Sequence, residues 1–170
     1  MRPVVTVAED ERGVPSPRSG LGDASADGQV VLRDPTPVEL VWMEELRIHL
    51  RAPDVDITTT ADLSRLFDTY CTAWHERADG ERWNPDYVIT ALGVALGDVL
   101  VARGREHCGG ARWMVAAGQT GATTVAVRND PFRRTIFPVD AVARRWITAE
   151  TDWVAGFVEA TDTPAQRLSR

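Results

Sequence analysis

Apolar positions recur with a helical period through most of the chain after residue 35, and with a strand period only between residues 113 and 137. Thr36 and Glu39 have capping-box spacing, and Pro37 sits at the favoured first helical position. A helix is therefore predicted from there to about Leu50, with Trp42, Leu46 and His49/Leu50 on its apolar face and Pro53 beyond its end. A second helix is predicted from Thr59 or Thr60, with Asp62 in the first turn where the helix dipole favours an acid. Leu63, Leu66, Phe67, Tyr70, Cys71 and Trp74 then recur at i, i+3, i+4, i+7, i+8 and i+11, the clearest apolar face in the chain, and Gly80 closes the segment. Asn84-Pro85 opens a third helix, which carries Val88, Ala91, Leu92, Ala95, Leu96 and Val99 with little polarity before Asp98. A helix apolar on most sides belongs at the centre of a fold. Gly93 and Gly97 lie four apart on one of its faces. Each costs the helix about 1 kcal/mol against Ala, a cost that close approach of a neighbouring element would offset.

After Arg103 the pattern changes, and Gly104, Gly109 and Gly110 mark a loop. Trp113–Ala117 and Thr123–Arg128 read as strands around a turn at Gly118–Gly121, and Thr135–Phe137 as a short third strand stopped by Pro138. Val139, Val142, Ala143 and Trp146 then share a helical face, and Thr151 and Asp152 are expected to cap a last helix carrying Trp153, Val154, Phe157 and Val158. Helices and strands are segregated along the chain. The predicted class is α+β, with helices packed on a small antiparallel sheet of about three strands.

Residues 1–34 contain no aromatic residue and are rich in Pro, Gly and acids, so they read as a flexible N-terminal segment in which Val4–Val7 and Val30–Leu32 are the only strand-like runs. Residues 35–162 form the expected single globular domain and 163–170 a frayed tail. With 170 residues, 44% of them hydrophobic, the chain is long enough to bury a core without disulfide or metal staples. The net charge of −6 argues against nucleic acid as a partner. All basic side chains are Arg, which excludes Schiff-base and Walker-type lysine chemistry. Two cysteines, Cys71 and Cys108, make neither a secreted disulfide framework nor a structural zinc site alone, so a reduced cytoplasm is the expected location. No secretory leader is expected at the N-terminus, and no apolar run is expected to reach the roughly 18 residues a membrane span needs. An unbroken Arg set with abundant Ala, Val and Gly points to a bacterial source.

Ala91-Leu92-Gly93-Val94-Ala95-Leu96-Gly97-Asp98, Trp113-Met114-Val115, Gly121, Phe137-Pro138 and Arg144-Arg145 occur in an order that resembles the bacterial family of domain of unknown function 3806, most strongly over residues 91–150. The helices before Pro53 and before Asn84 are similar to its general layout. Two departures stand out. The acid usual at the end of the Trp strand is replaced by Ala117-Gly118-Gln119, and the loop from Gly104 to Arg112 reads as longer. The resemblance implies a fold and no chemistry.

Candidate chemistry is sparse. Asp98 ends an apolar run, so it needs a partner, and Arg144 or Arg145 is the expected one; the pair reads either as a ligand-binding site or as a structural ion pair. Cys71 and His75 are one helical turn apart and read as two metal ligands or, with Cys71 on the apolar stripe, as core. His107-Cys108 in a glycine-rich loop reads as an activated thiolate or an exposed loop thiol. Trp42, Trp74 and Trp146 are assigned to the core, Trp113 to the Gly93/Gly97 face, and Trp83 and Trp153 to a partner surface. Arg133-Arg134 with Arg144-Arg145 reads as a basic patch for a phosphate or an acidic partner, or as a solvated face. Without a convergent acid, base and nucleophile, catalytic residues, metal and cofactor are all assigned as none. The expectation is a non-enzymatic protein-interaction or regulatory module whose partner is another protein rather than nucleic acid or membrane. The alternative is a small-ligand-binding protein or enzyme using Asp98 with Arg144 or Arg145.

Overall fold

The computed structural model describes residues 30–107, 109–118 and 121–162. Among them, β1 (Val31–Arg33), α1 (Pro37–Leu50), α2 (Thr60–His75), a single 3-10 turn (Asp79–Glu81), α3 (Asp86–His107), β2 (Ala111–Ala117), β3 (Thr123–Asn129), β4 (Arg134–Ile136), α4 (Pro138–Ile147) and α5 (Val154–Asp162) follow one another along the chain. The four strands pair antiparallel in the order β1-β2-β3-β4. Trp113 lies opposite Val127, Val127 opposite Ile136, and Arg33 opposite Val115. The expected α+β arrangement is the one found, with four strands where about three were predicted.

The fourth strand is β1, which corrects the expected boundary. Val31–Arg33 belongs to the sheet, so the folded unit starts before residue 35. The strand-like run at Val4–Val7 and the tail at 163–170 lie outside the described residues. Arg33 also ties the sheet to α1. Its Nη1 and Nη2 donate to Glu39 Oε2 and Oε1, both at 2.7 Å. Glu39 closes the predicted capping box as well: its carboxylate accepts the Thr36 amide at 2.7 Å, and its amide donates to the Thr36 hydroxyl at 3.3 Å.

α3 is the centre of the fold. Thirteen of its 22 residues are buried, and every other helix except α1 and α2 follows it in sequence and packs back on it. By length and composition α3 is apolar enough to cross a membrane, contrary to the sequence reading, but 72% of its apolar window is buried inside the protein. α1, α2, α4 and α5 surround it, and its remaining face lies on β2 and β3.

A stripe of glycines runs along α3 where it meets α4 and β2. A Cβ on Gly93 would lie 2.6 Å from Val139 Cα in α4; one on Gly97 would fall on the Trp113 ring; one on Gly104 would meet Ala111 Cβ. The predicted approach of Trp113 is therefore to Gly97, while Gly93 receives α4. Gly104 also explains why α3 continues past Arg103. It reads as a helix breaker, but here it brings the last turn of α3 onto the first residue of β2. Most of the long loop expected between Gly104 and Arg112 is taken up by α3, which runs to His107, and by β2, which begins at Ala111. Gly109 (φ +73°) and Gly110 (φ +139°) adopt backbone conformations that residues with a side chain rarely take, and the Gly110 amide donates to the Gly104 carbonyl at 3.0 Å.

Gly97→Ala is expected to destabilise the domain by about 1–3 kcal/mol, because the added methyl must displace the Trp113 ring. Gly156→Ala, in α5 with open space around it, is expected to be neutral or stabilising by up to about 1 kcal/mol. Urea denaturation of both variants checks the pair, and equal midpoints would remove the close-packing argument.

A second expectation concerns acid. The hydrogen bonds from Arg33 hold the Glu39 carboxyl down at about 2, well below its ordinary 4.5. A carboxyl depressed in the fold contributes stability above its unfolded pKa and loses it as pH falls towards the folded value. Glu39→Gln should therefore lower the thermal midpoint at pH 7 while losing less between pH 4.5 and 2 than the parent does. Parallel acid limbs for the two proteins would show that the clasp contributes nothing.

Candidate functional site

Three elements meet at Asp98. The ring of Trp113 rests on Gly97, which brings its indole Nε1 within 2.9 Å of Asp98 Oδ1, the next residue along α3. From α1, Arg47 approaches as a fork. Its Nε donates to Asp98 Oδ2 at 2.6 Å and its Nη2 to Oδ1 at 2.8 Å. Arg47 Nη1 reaches Glu44 Oε2 at 3.3 Å, and Arg51 Nη2 reaches Glu44 Oε1 at 2.8 Å. The side chains of Arg47 and Asp98 are 20% and 27% exposed, so the pair is sheltered without being sealed. The hydrogen bonds it donates to Asp98 raise the Arg47 guanidinium above its ordinary pKa.

This geometry corrects the expected partner. Asp98 pairs with Arg47, not with Arg144 or Arg145. Arg145 lies over the rings of Trp153 and Phe157, 4.5 and 5.1 Å from their centroids, and its Nη1 donates to the Ala141 carbonyl of its own helix. Arg144 is exposed at the end of α4. Of the other two arginines, Arg134 donates to the Ala160 carbonyl at 3.2 Å. Two members of the expected basic patch, Arg134 and Arg145, are thus engaged in separate contacts.

Chemically, Asp98 is committed. Oδ1 takes two donors and Oδ2 one, all charge-assisted or in near-ideal range. A general base must present a free lone pair to its substrate, and three of the roughly four acceptor positions of this carboxylate are already taken by donors from α1 and β2. The arrangement works as a clip that fixes α1 and the sheet to one side of α3.

The two tryptophans assigned to a partner surface belong elsewhere. Trp153 is 6% exposed and packs edge-to-face with Phe67 and Phe157, both at 5.4 Å. Trp83 is half-buried against Trp146, and its carbonyl accepts the Trp74 indole N–H at 2.8 Å. Cys71 is core, as its stripe suggested. Burial, with Asp68 nearby, pushes its thiol up to about 11. His75 Nε2 lies 2.7 Å from the Trp146 carbonyl, which also faces the Cys71 sulfur at 3.9 Å, so both side chains close the end of α4. Cys108 and Gln119 lie outside the described residues. Among the described residues no three His, Cys, Asp or Glu side chains are grouped to hold a metal ion.

The surface that the sequence reading missed is the outer side of α1. Met43, Leu46 and Leu50 form its buried stripe. Val38 is 78% exposed, Val41 61%, Ile48 55% and Trp42 38%, which corrects the assignment of Trp42 to the core. His49 stands edge-on to Tyr87, 4.8 Å between centroids, and Tyr87 at the start of α3 is itself half exposed. The apolar residues on both sides of α1 were visible in the sequence, but their number obscured which side faced inward.

Removing the clip should reveal its structural role. Asp98→Asn is expected to cost about 1–3 kcal/mol, between the values typical of exposed and of buried ion pairs. With Arg47→Met in the same chain, the combined loss should fall short of the sum by at least about 1 kcal/mol. Strict additivity in denaturant melts would show that the two side chains do not act together.

A family described as Domain of unknown function (DUF3806) matches residues 62–157. The match includes Asp98 and Trp113; Arg47 lies before it. No curated protein and no solved structure matches the chain.

Proposed function

This chain belongs to the family described as Domain of unknown function (DUF3806), and we propose that it acts as a non-enzymatic protein-interaction module whose docking surface is the outer face of α1. The observation that carries this reading is the exposure of Val38, Val41, Trp42 and Ile48 along one side of a helix whose other side is already buried. Helices at a protein surface ordinarily present a polar outer face. An outer face that is apolar at four positions, interrupted only by Glu45 and with a tryptophan among them, has the character of an interaction surface. The three hydrogen bonds that Asp98 already accepts from Arg47 and Trp113 weigh against the ligand-binding alternative. A bacterial, cytoplasmic setting belongs to the same proposal, supported by the lysine-free composition and the buried free thiol of Cys71.

A photoreactive benzoyl-phenylalanine placed at position 42 in the full chain, irradiated in cells that make it, tests the reading. Discrete adducts of defined mass are expected there and not from the same group placed at Glu159, at the exposed end of α5. No adduct from position 42, or the same adducts from both positions, would overturn it.

A further inference from the structure

We propose that the partner seated on the outer face of α1 is a second copy of the chain, packed as an antiparallel α1–α1 pair about a twofold axis. The inference rests on the interaction reading above and names its partner. Val38, Val41, Glu45 and Ile48 fall at spacings of three, four and three, the a/d seam of a heptad, and Trp42 and His49 flank it on one side. Glu45 is the one charged residue on the seam, and it decides the orientation. In a parallel pair, identical a positions face each other, so Glu45 would meet the partner's Glu45 at the centre of the contact. In an antiparallel pair, a positions face d positions. Val38 then packs on the partner's Ile48, and Glu45 lies beside the partner's Val41 and the partner's Trp42.

That placement is self-complementary. The indole N–H of Trp42 makes no hydrogen bond among the described residues, and the carboxylate of Glu45 has no ion pair among them. A twofold axis offers each indole N–H to a carboxylate of the other copy, twice per dimer, as an isologous interface requires. The charges beside the seam do not interfere, because Glu44 is held by Arg47 and Arg51 within the chain. With Tyr87 at one end, the exposed apolar surface is on the order of 500 Å² per copy, so the pair would bury roughly 1,000 Å², the low end for a specific interface. The dimer is accordingly weak and reversible. Because each copy carries a net charge of −6, added salt should tighten it by screening their repulsion.

Sedimentation equilibrium of the full chain, from about 5 to 200 μM, reads the association directly. The mass is expected to climb from 18.7 kDa towards twice that value. Val41→Glu should weaken the dimer more than tenfold with its circular dichroism and melting unchanged, and Glu45→Leu should tighten it at least tenfold. Orientation is read by disulfide trapping in a Cys108→Ser background. The Val38→Cys/Ile48→Cys double variant should cross-link to a covalent dimer, whereas neither single variant should; the two positions are too far apart on one helix to bridge within a chain. A mass fixed at the monomer value overturns the inference, as does cross-linking by Val38→Cys alone, which only a parallel pair allows. A monomeric chain whose position 42 still forms adducts with a different protein would overturn the second copy while leaving the interaction reading in place. A monomer without adducts would overturn both.

Discussion

The indole of Trp113 occupies the space where a side chain at position 97 would stand, and Asp98, one residue further along α3, takes its N–H. The two residues solve two problems that a tryptophan brings to a helix–sheet interface. The ring needs depth, which only the absence of a Cβ provides, and the N–H needs an acceptor, which the apolar surroundings do not otherwise supply. Gly93 and Gly104 extend the same lowered surface towards Val139 and Ala111. α3 thus gives up helix propensity at three positions, about 1 kcal/mol at each, and gains contact with the sheet and α4 at van der Waals range along its length.

A carboxylate at the rim of an apolar helix would be costly if it served only an indole. Arg47 completes it, and the bidentate fork makes Asp98 the point where α1, α3 and β2 are held together. Partial exposure keeps the desolvation penalty below that of a sealed pair, while the hydrogen-bond geometry is specific enough to fix the angle of α1. The Gly-Asp pair in α3 and the tryptophan in β2 are thus one device, and both lie inside the segment that matches the family.

How much of this could be read from the residues depends on the range of the interaction. α2 was legible because Leu63, Phe67 and Cys71 repeat with an unbroken period, and β2–β3 because Gly118 and Gly121 punctuate two β-rich runs. The capping box of Thr36 and Glu39 is local and was found as drawn. The partner of Asp98 was not, since Arg47 is 51 residues away and no spacing rule joins them. Trp153 was assigned to a partner surface as part of a short last helix near the end of the chain, whereas α5 begins only at Val154. Ala149 and Asp152 instead take left-handed backbone angles that turn the chain and seat the ring against Phe67. β1 has only three residues, and its identity as a strand comes from its register with β2 rather than from any pattern of its own. Trp42 was misplaced for the opposite reason: α1 has apolar residues on so many sides that periodicity does not choose between them.

The two polar anchors of α1 clarify that ambiguity. A helix that buries only Met43, Leu46 and Leu50 gets limited orientation from its core contacts, since such a narrow stripe can rotate towards any of its apolar neighbours. Arg33 grips Glu39 in the first turn, and Asp98 grips Arg47 two turns later. Both grips lie off the Val38–Val41–Ile48 side, so they fix the rotation that leaves this side outward. Hydrophobic burial alone would favour turning more of those residues in. The polar contacts oppose that rotation, and the apolar outer face is a consequence of how α1 is fastened rather than of too little core to cover it.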